Sequence, residues 1–360
     1  MNTPTAPQTD NRGRYRLPLH GLAALRILII LGVGLGYAST MGIGTDSREW
    51  GHHWGYDPSW YGVQLLFILS GFLAMRSMQQ GRRIRDFFGS RIWSLWPALI
   101  AATFVTVAVI YPLMCSPTAD VRMSVGDLAV YFFKTIFLID PGGQMPGVLD
   151  DAKYACLIQG AIWTLRWGLV LHVGFLVGWK LGIMRRPRLL LGLCAGLVLA
   201  YIALVYIAVN NASVGAIVEP FVPGLRLGYA YLCGTVIFAW QHRLRLTLPR
   251  TVIFAACFAG LATANFLWGP WSPAIEVLGV GFWMTLCLGF LHNAPKFLRR
   301  CPRLAPVLYV SIWPAAQIVV ALVPGLNQIG VIEISIALAS VGAFVIFLLL
   351  RQARIQPARL

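Results

Sequence analysis

The sequence predicts an all-α polytopic membrane protein with about ten transmembrane helices. Three observations carry this. Hydrophobic residues make up 58% of the chain and charged residues only 12%, against roughly a quarter charged in a soluble globular domain. The apolar residues are gathered into runs near the ~20 residues that cross a hydrocarbon core about 30 Å thick at 1.5 Å per residue. Basic residues collect in short knots between those runs, and many of the 13 Trp sit near run ends, as an interfacial aromatic belt requires.

The first stretch, 1–19, is polar and carries Arg12, Arg14 and Arg16. It is similar to the basic region of a signal peptide. The apolar run behind it is too long for that role, and no clear small-residue cleavage site follows, so it reads as an uncleaved cytoplasmic tail. Helical spans are expected at 20–42, 60–79, 92–114, 160–183, 188–209, 223–240, 251–268, 272–292, 305–323 and 328–350. The longest connection, 115–159, holds an apolar stretch, Leu128–Ile139, that is too short to span and reads as an interfacial or re-entrant helix. Residues 351–360 form a second basic cytoplasmic tail. No repeat, low-complexity tract or soluble domain is visible, so 20–350 is expected to be one membrane domain.

Orientation follows from the basic residues. With ten spans, the tails and even-numbered loops share one side and hold 21 of the 29 Lys and Arg, while the other side holds only Arg48, Arg122, Lys134 and Lys153. The positive-inside rule then places both termini in the cytoplasm. Nine acidic residues, from Asp46 to Glu219, fall on the outer side. The net charge of +16 is spread across these knots and forms no stripe or patch, which argues against nucleic acid as a partner.

Cys115 and Cys156 stand at the two ends of the long outer connection. In an oxidising periplasm they are candidates for a disulfide, the alternative being two separate thiols. Charged residues inside spans are costly and mark functional candidates: Arg26, Arg166, Arg226, Glu276 and Glu333. An Arg226–Glu pair lining an outward cavity is one expectation. His172, deep in the fourth span, reads as a neutral, hydrogen-bonded imidazole. Gly62, Ser70 and Gly71 suit close helix packing. No metal site is expected.

Three segments carry a further pattern. Ala24-Leu25-Arg26-Ile27-Leu28 opens the first span. Gly62-Val63-Gln64-Leu65-Leu66-Phe67-Ile68-Leu69-Ser70-Gly71-Phe72 fills the second, followed by Phe87-Phe88-Gly89-Ser90-Arg91 and Pro97. Gly160-Ala161-Ile162-Trp163-Thr164-Leu165-Arg166 opens the fourth, and Tyr309, Trp313-Pro314 and Gln317 follow in the ninth. Together these resemble acyltransferase family 3, bacterial inner-membrane O-acyltransferases of surface polysaccharides. The resemblance implies acyl-CoA, acetyl-CoA first among them, as the donor from the cytoplasmic side. It implies a hydroxyl of an extracytoplasmic polysaccharide or glycolipid as acceptor, and other glycan-biosynthesis enzymes as partners.

Carried onto this chain, the resemblance assigns acyl-CoA phosphates to Arg26 and Arg91. It assigns a substrate cavity to Ser70, Trp163 and Arg166. The family's basic His falls at Tyr37, and a phenol with a pKa near 10 is a poor base at neutral pH. His52 and His53, in the first outer loop, are the reserve candidates. The second Arg of the family's Arg-x-x-Arg is Ser94, an acidic position after Arg166 is Gly168, and a Ser-Tyr-Gly is Ala305-Pro306-Val307. These departures leave two expectations open: an active acyltransferase, or a catalytically silent relative that binds a glycan, a lipid-linked sugar or a partner enzyme. A transporter is a third class, against which stands the lack of inverted repeats or paired broken spans.

Overall fold

The computed structural model describes residues 22–42, 58–116, 121–149, 154–241, 256, 273–293 and 304–352. They are helical, with one isolated β-bridge, Cys115 to Val148. The helices are α1 (Leu22–Gly42), α2 (Pro58–Gln79), α3 (Ile84–Met114), α4 (Val125–Ile136), α5 (Trp163–Lys180), α6 (Pro187–Asn210), α7 (Ala212–Val218), α8 (Val222–Trp240), α9 (Pro273–Asn293), α10 (Leu304–Leu322) and α11 (Gln328–Gln352). Eight segments among the described residues are long and apolar enough to cross a membrane. α9 coincides with a further expected span and has 21 residues. The expected span 251–268 lies outside the described residues except for residue 256.

The surface is inverted relative to that of a soluble protein. Phe104, Leu113, Leu199, Val341 and Phe344 are exposed, while Gln64, Thr103, Gln159, Glu276 and Gln317 are buried. Polar groups inside and apolar groups outside is the arrangement that lipid selects. The chain is a membrane-embedded helical protein.

α2 is the most enclosed helix and packs chiefly on α8 and α1. Paired glycines set the α2–α8 contact. A Cβ on Gly71 would overlap the carbonyl oxygen of Tyr231, and one on Gly234 would overlap that of Ile68. The two backbones touch because neither residue has a side chain. Gly62 plays the same part against Val33 of α1. The packing reading of Gly62 and Gly71 therefore accounts for both.

α3 starts eight residues before the expected run, at Ile84, with Asp86 in its first turn complementing the positive end of the helix dipole. A five-residue π segment, Thr106–Ile110, interrupts it. α4 is the short apolar stretch of the long connection. It is closed at its N-terminus by a capping box between Ser124 and Asp127, and the Ser124 hydroxyl and amide hold the Asp127 carboxyl below its usual range. At 12 residues it is about 18 Å long, too short to span.

The rest of that connection does not stay outside the bundle. Met145, Val148 and Ile158 are fully buried, and Leu138, Leu149 and Cys156 adopt positive φ. Residues 154–159 run as irregular backbone toward the middle of α10 and lead into a single 3₁₀ turn, Gly160–Ile162. Irregular backbone in an apolar interior survives only if side chains satisfy it. Here Trp313 Nε1 donates to the Leu157 carbonyl at 3.1 Å, and Gln317 Nε2 donates to the Leu157 and Tyr154 carbonyls at 3.0 and 3.1 Å. Gln159 reaches the π segment, its Nε2 donating to Thr106 Oγ1 at 2.5 Å while Thr103 donates to its Oε1 at 3.5 Å. Gly160 lies flat on the Trp313 indole, where a Cβ would overlap the ring. α5 accordingly begins inside the protein.

No disulfide joins Cys115 to Cys156. The fold brings both to the 145–148 segment but interposes Val148, which is bridged to Cys115 and whose carbonyl accepts from the Cys156 amide at 3.2 Å.

Replacing Gln317 with Leu removes two hydrogen bonds to this segment, leaves the Leu157 carbonyl to Trp313 alone and strands the Tyr154 carbonyl, and is expected to lower stability by about 1–3 kcal/mol. The check is the thermal unfolding midpoint of the detergent-solubilised protein, with Gly160→Ala expected to fall as well.

Candidate functional site

Helix periodicity explains which residues converge. On α5, Thr164, Gly168 and His172 are spaced by four and share one face with Leu165 and Leu169. That face lines a cavity of about 200 Å³. α1 contributes Arg26, α2 contributes Ser70, α3 contributes Arg91 and Ser94, and α10 contributes Ala305, Pro306 and Tyr309. The lining is otherwise apolar. The cavity thus gathers Arg26, Ser70 and Arg91 from three separate sequence segments.

Arg26 and Arg91 are half-buried and near enough to feel each other's charge. Among the described residues no acidic side chain pairs with either. The Arg91 guanidinium lies over the Phe87 ring at 5.4 Å, and its Nε has no hydrogen-bond partner. Two like charges facing one apolar cavity without a counter-ion form a site whose complement is an anion with several oxygens.

His172 packs between Phe87 and Tyr231, with ring centroids at 5.7 and 5.3 Å. Its Nδ1 lies 2.5 Å from the Gly168 carbonyl oxygen. A carbonyl only accepts, so Nδ1 carries the proton and Nε2 keeps its lone pair. That Nε2 has no hydrogen-bond partner among the described residues. Elsewhere on the cavity wall, the Thr164 and Tyr309 hydroxyls are 2.6 Å apart, and Ser70 Oγ donates back to the Leu66 carbonyl at 2.8 Å.

Several expected site residues stand elsewhere. Arg166 is exposed and does not line the cavity. Two positions after Thr164 at about 100° per residue, it points to the opposite side of α5. Trp163 turns toward Arg226, 5.9 Å from its ring, and also does not line the cavity. Tyr37 is buried, stacks edge-on against Trp313 at 4.7 Å and hydrogen bonds to Tyr309. Eleven residues beyond Arg26, it is roughly 16 Å further along α1 and lies past the cavity. His52 and His53 lie outside the described residues.

A second polar cluster ties α2, α6, α8 and α9. Glu276 accepts from Gln64 Nε2 and from the Tyr201 hydroxyl, and Tyr229 donates to Gln64 Oε1 at 2.6 Å. The Trp60 ring carries the Arg226 guanidinium at 3.4 Å. Arg226 thus rests on an aromatic face and makes no direct ion pair with Glu276, and Glu333 is exposed on α11. Sequence reasoning singled out Arg226 and Glu276 but missed Gln64, Tyr201 and Tyr229, because no local spacing connects four helices. His172 was named but its role was not. The Thr164, Gly168, His172 spacing within an apolar helix was the signal that it faces a shared surface.

No protein-family profile, curated protein or solved structure matches the chain.

Glu276→Ala strands two buried donors, Gln64 Nε2 and the Tyr201 hydroxyl, and is expected to cost about 2–4 kcal/mol, whereas Glu333→Ala, at an exposed site, is expected to fall within about 0.5 kcal/mol of the parent. Paired thermal melts of the two variants provide the comparison.

Proposed function

We propose that the protein is a bacterial inner-membrane O-acyltransferase related to acyltransferase family 3. It transfers an acyl group, acetyl first, from acyl-CoA to a hydroxyl of an extracytoplasmic polysaccharide or glycolipid. One observation carries the reading: Arg26 and Arg91, drawn from separate segments that resemble that family, meet in one cavity with no acidic partner among the described residues. Phosphates of CoA supply the missing counter-charge, and Arg holds phosphate oxygens through paired N–H donors. The basic loops support a topology with both ends in the cytoplasm, which puts Arg26 near the cytoplasmic end of α1 and Arg91 near that of α3, on the side where acyl-CoA is found. Ser94, Gly168 and Ala305-Pro306, where the chain departs from the family pattern, line the same cavity, so the departures bear on donor or acceptor fit.

A second reading rests on Tyr37. The family's base position holds a phenol engaged with Tyr309 and Trp313, away from the cavity. A silent relative that binds a surface glycan or a partner enzyme is the corresponding function.

The test begins with equilibrium binding of acetyl-CoA to the purified protein in detergent. Arg26→Ala and Arg91→Ala are each expected to weaken it by roughly 10- to 150-fold, the loss of one or two hydrogen bonds to a charged group. Unchanged affinity in both variants would remove the donor assignment. Transfer of labelled acetyl groups to host glycan by the parent protein would defeat the silent-relative reading. Transfer seen only in Tyr37→His would establish it.

A further inference from the structure

We propose that His172 of α5 is the general base of the transfer, taking the place that Tyr37 of α1 does not fill. This rests on the acyltransferase reading and names a catalytic residue for it. Three features of the structure argue for it together. His172 lines the cavity that holds Arg26 and Arg91. Its Nδ1 is committed to the Gly168 carbonyl, which fixes the tautomer and the ring and leaves the lone pair on Nε2. Nε2 is buried and has no hydrogen-bond partner among the described residues, so its lone pair is not committed within them. The Phe87 and Tyr231 rings on either side hold the imidazole in place.

The step balances without any co-reactant. Nε2 accepts the proton of the acceptor hydroxyl as its oxygen attacks the thioester carbonyl carbon. The new C–O bond forms, the C–S bond breaks, and the thiolate leaves. The imidazolium returns its proton to sulfur, giving the ester and free CoA thiol. Donor phosphates on Arg91 offset the charge that otherwise faces the imidazolium as it forms. Gly168 leaves open space one turn before the ring: a Cβ at that position would meet nothing within 4 Å, so the acceptor finds no side chain in its way there.

Two measurements on the full-length protein test this. The first needs no variant and no acceptor. Diethyl pyrocarbonate, which reacts with a neutral imidazole nitrogen bearing a lone pair, is expected to label His172, and acetyl-CoA is expected to protect it; peptide mass spectrometry reads the adduct. A His172 that stays unlabelled, or whose labelling acetyl-CoA leaves unchanged, would overturn the assignment. The second follows CoA thiol release from acetyl-CoA with water and methyl glucoside as acceptors. His172→Gln is expected to keep acetyl-CoA affinity and lose about 10²- to 10⁴-fold in turnover, with imidazole restoring part of the rate to His172→Ala. Turnover of His172→Gln within about threefold of the parent would sink the proposal while leaving the acyltransferase reading intact. Failure of the parent protein to bind acetyl-CoA would sink that reading, and this one with it.

Discussion

Every polar backbone group that enters the apolar interior must find a partner inside the protein, and the segment 154–162 is where this constraint bears hardest. The helices satisfy themselves. This irregular stretch does not, and Trp313 and Gln317 supply donors to its carbonyls while its own Gln159 side chain ties it to Thr103 and Thr106 of α3. The consequences run outward from there. Because the stretch is held against the middle of α10, α5 starts inside the bundle. Its Thr164, Gly168 and His172 face is thereby brought level with Arg26 on α1 and Arg91 on α3.

The same constraint separates two kinds of polar interior. In the Glu276 cluster, the Gln64, Tyr201 and Tyr229 donors each meet an acceptor, and the guanidinium nearby rests on an aromatic face. Such a cluster fixes the mutual rotation of four helices, since turning any one of them breaks a bond to a shared carboxylate. The cavity between α1, α2, α3, α5 and α10 is the reverse case. Among the described residues it holds two guanidiniums without a counter-ion and an imidazole nitrogen without a donor, and these three groups face one cavity.

Close packing makes both possible. The Gly71–Gly234 contact brings α2 and α8 to backbone distance, which sets Gln64 and Tyr229 within hydrogen-bonding range on one side of α2. Val63, Phe67 and Ser70 face the cavity on the other. α2 is in effect the wall shared by the two polar interiors. Glycines on a packed helix are therefore not filler: their lack of a side chain determines where the neighbouring polar residues fall.

Hydropathy and charge by themselves determined the helical membrane class, the position of most spans and the split of basic residues between loops, because each depends only on the local exchange of water for lipid. The short helix in the long connection was legible for the same reason. The arginines of the cavity were legible as costly charges in or beside spans. What only the tertiary structure decided is which of these residues meet. The 3.6-residue period gives each helix its faces but not the neighbour each face finds, and so it turned Arg166 and Trp163 away, set Tyr37 too far along α1, and brought His172 in. Nothing in the one-dimensional pattern told that 154–162 folds inward, since that depends on hydrogen-bond partners from α3 and α10 more than 40 residues away in either direction.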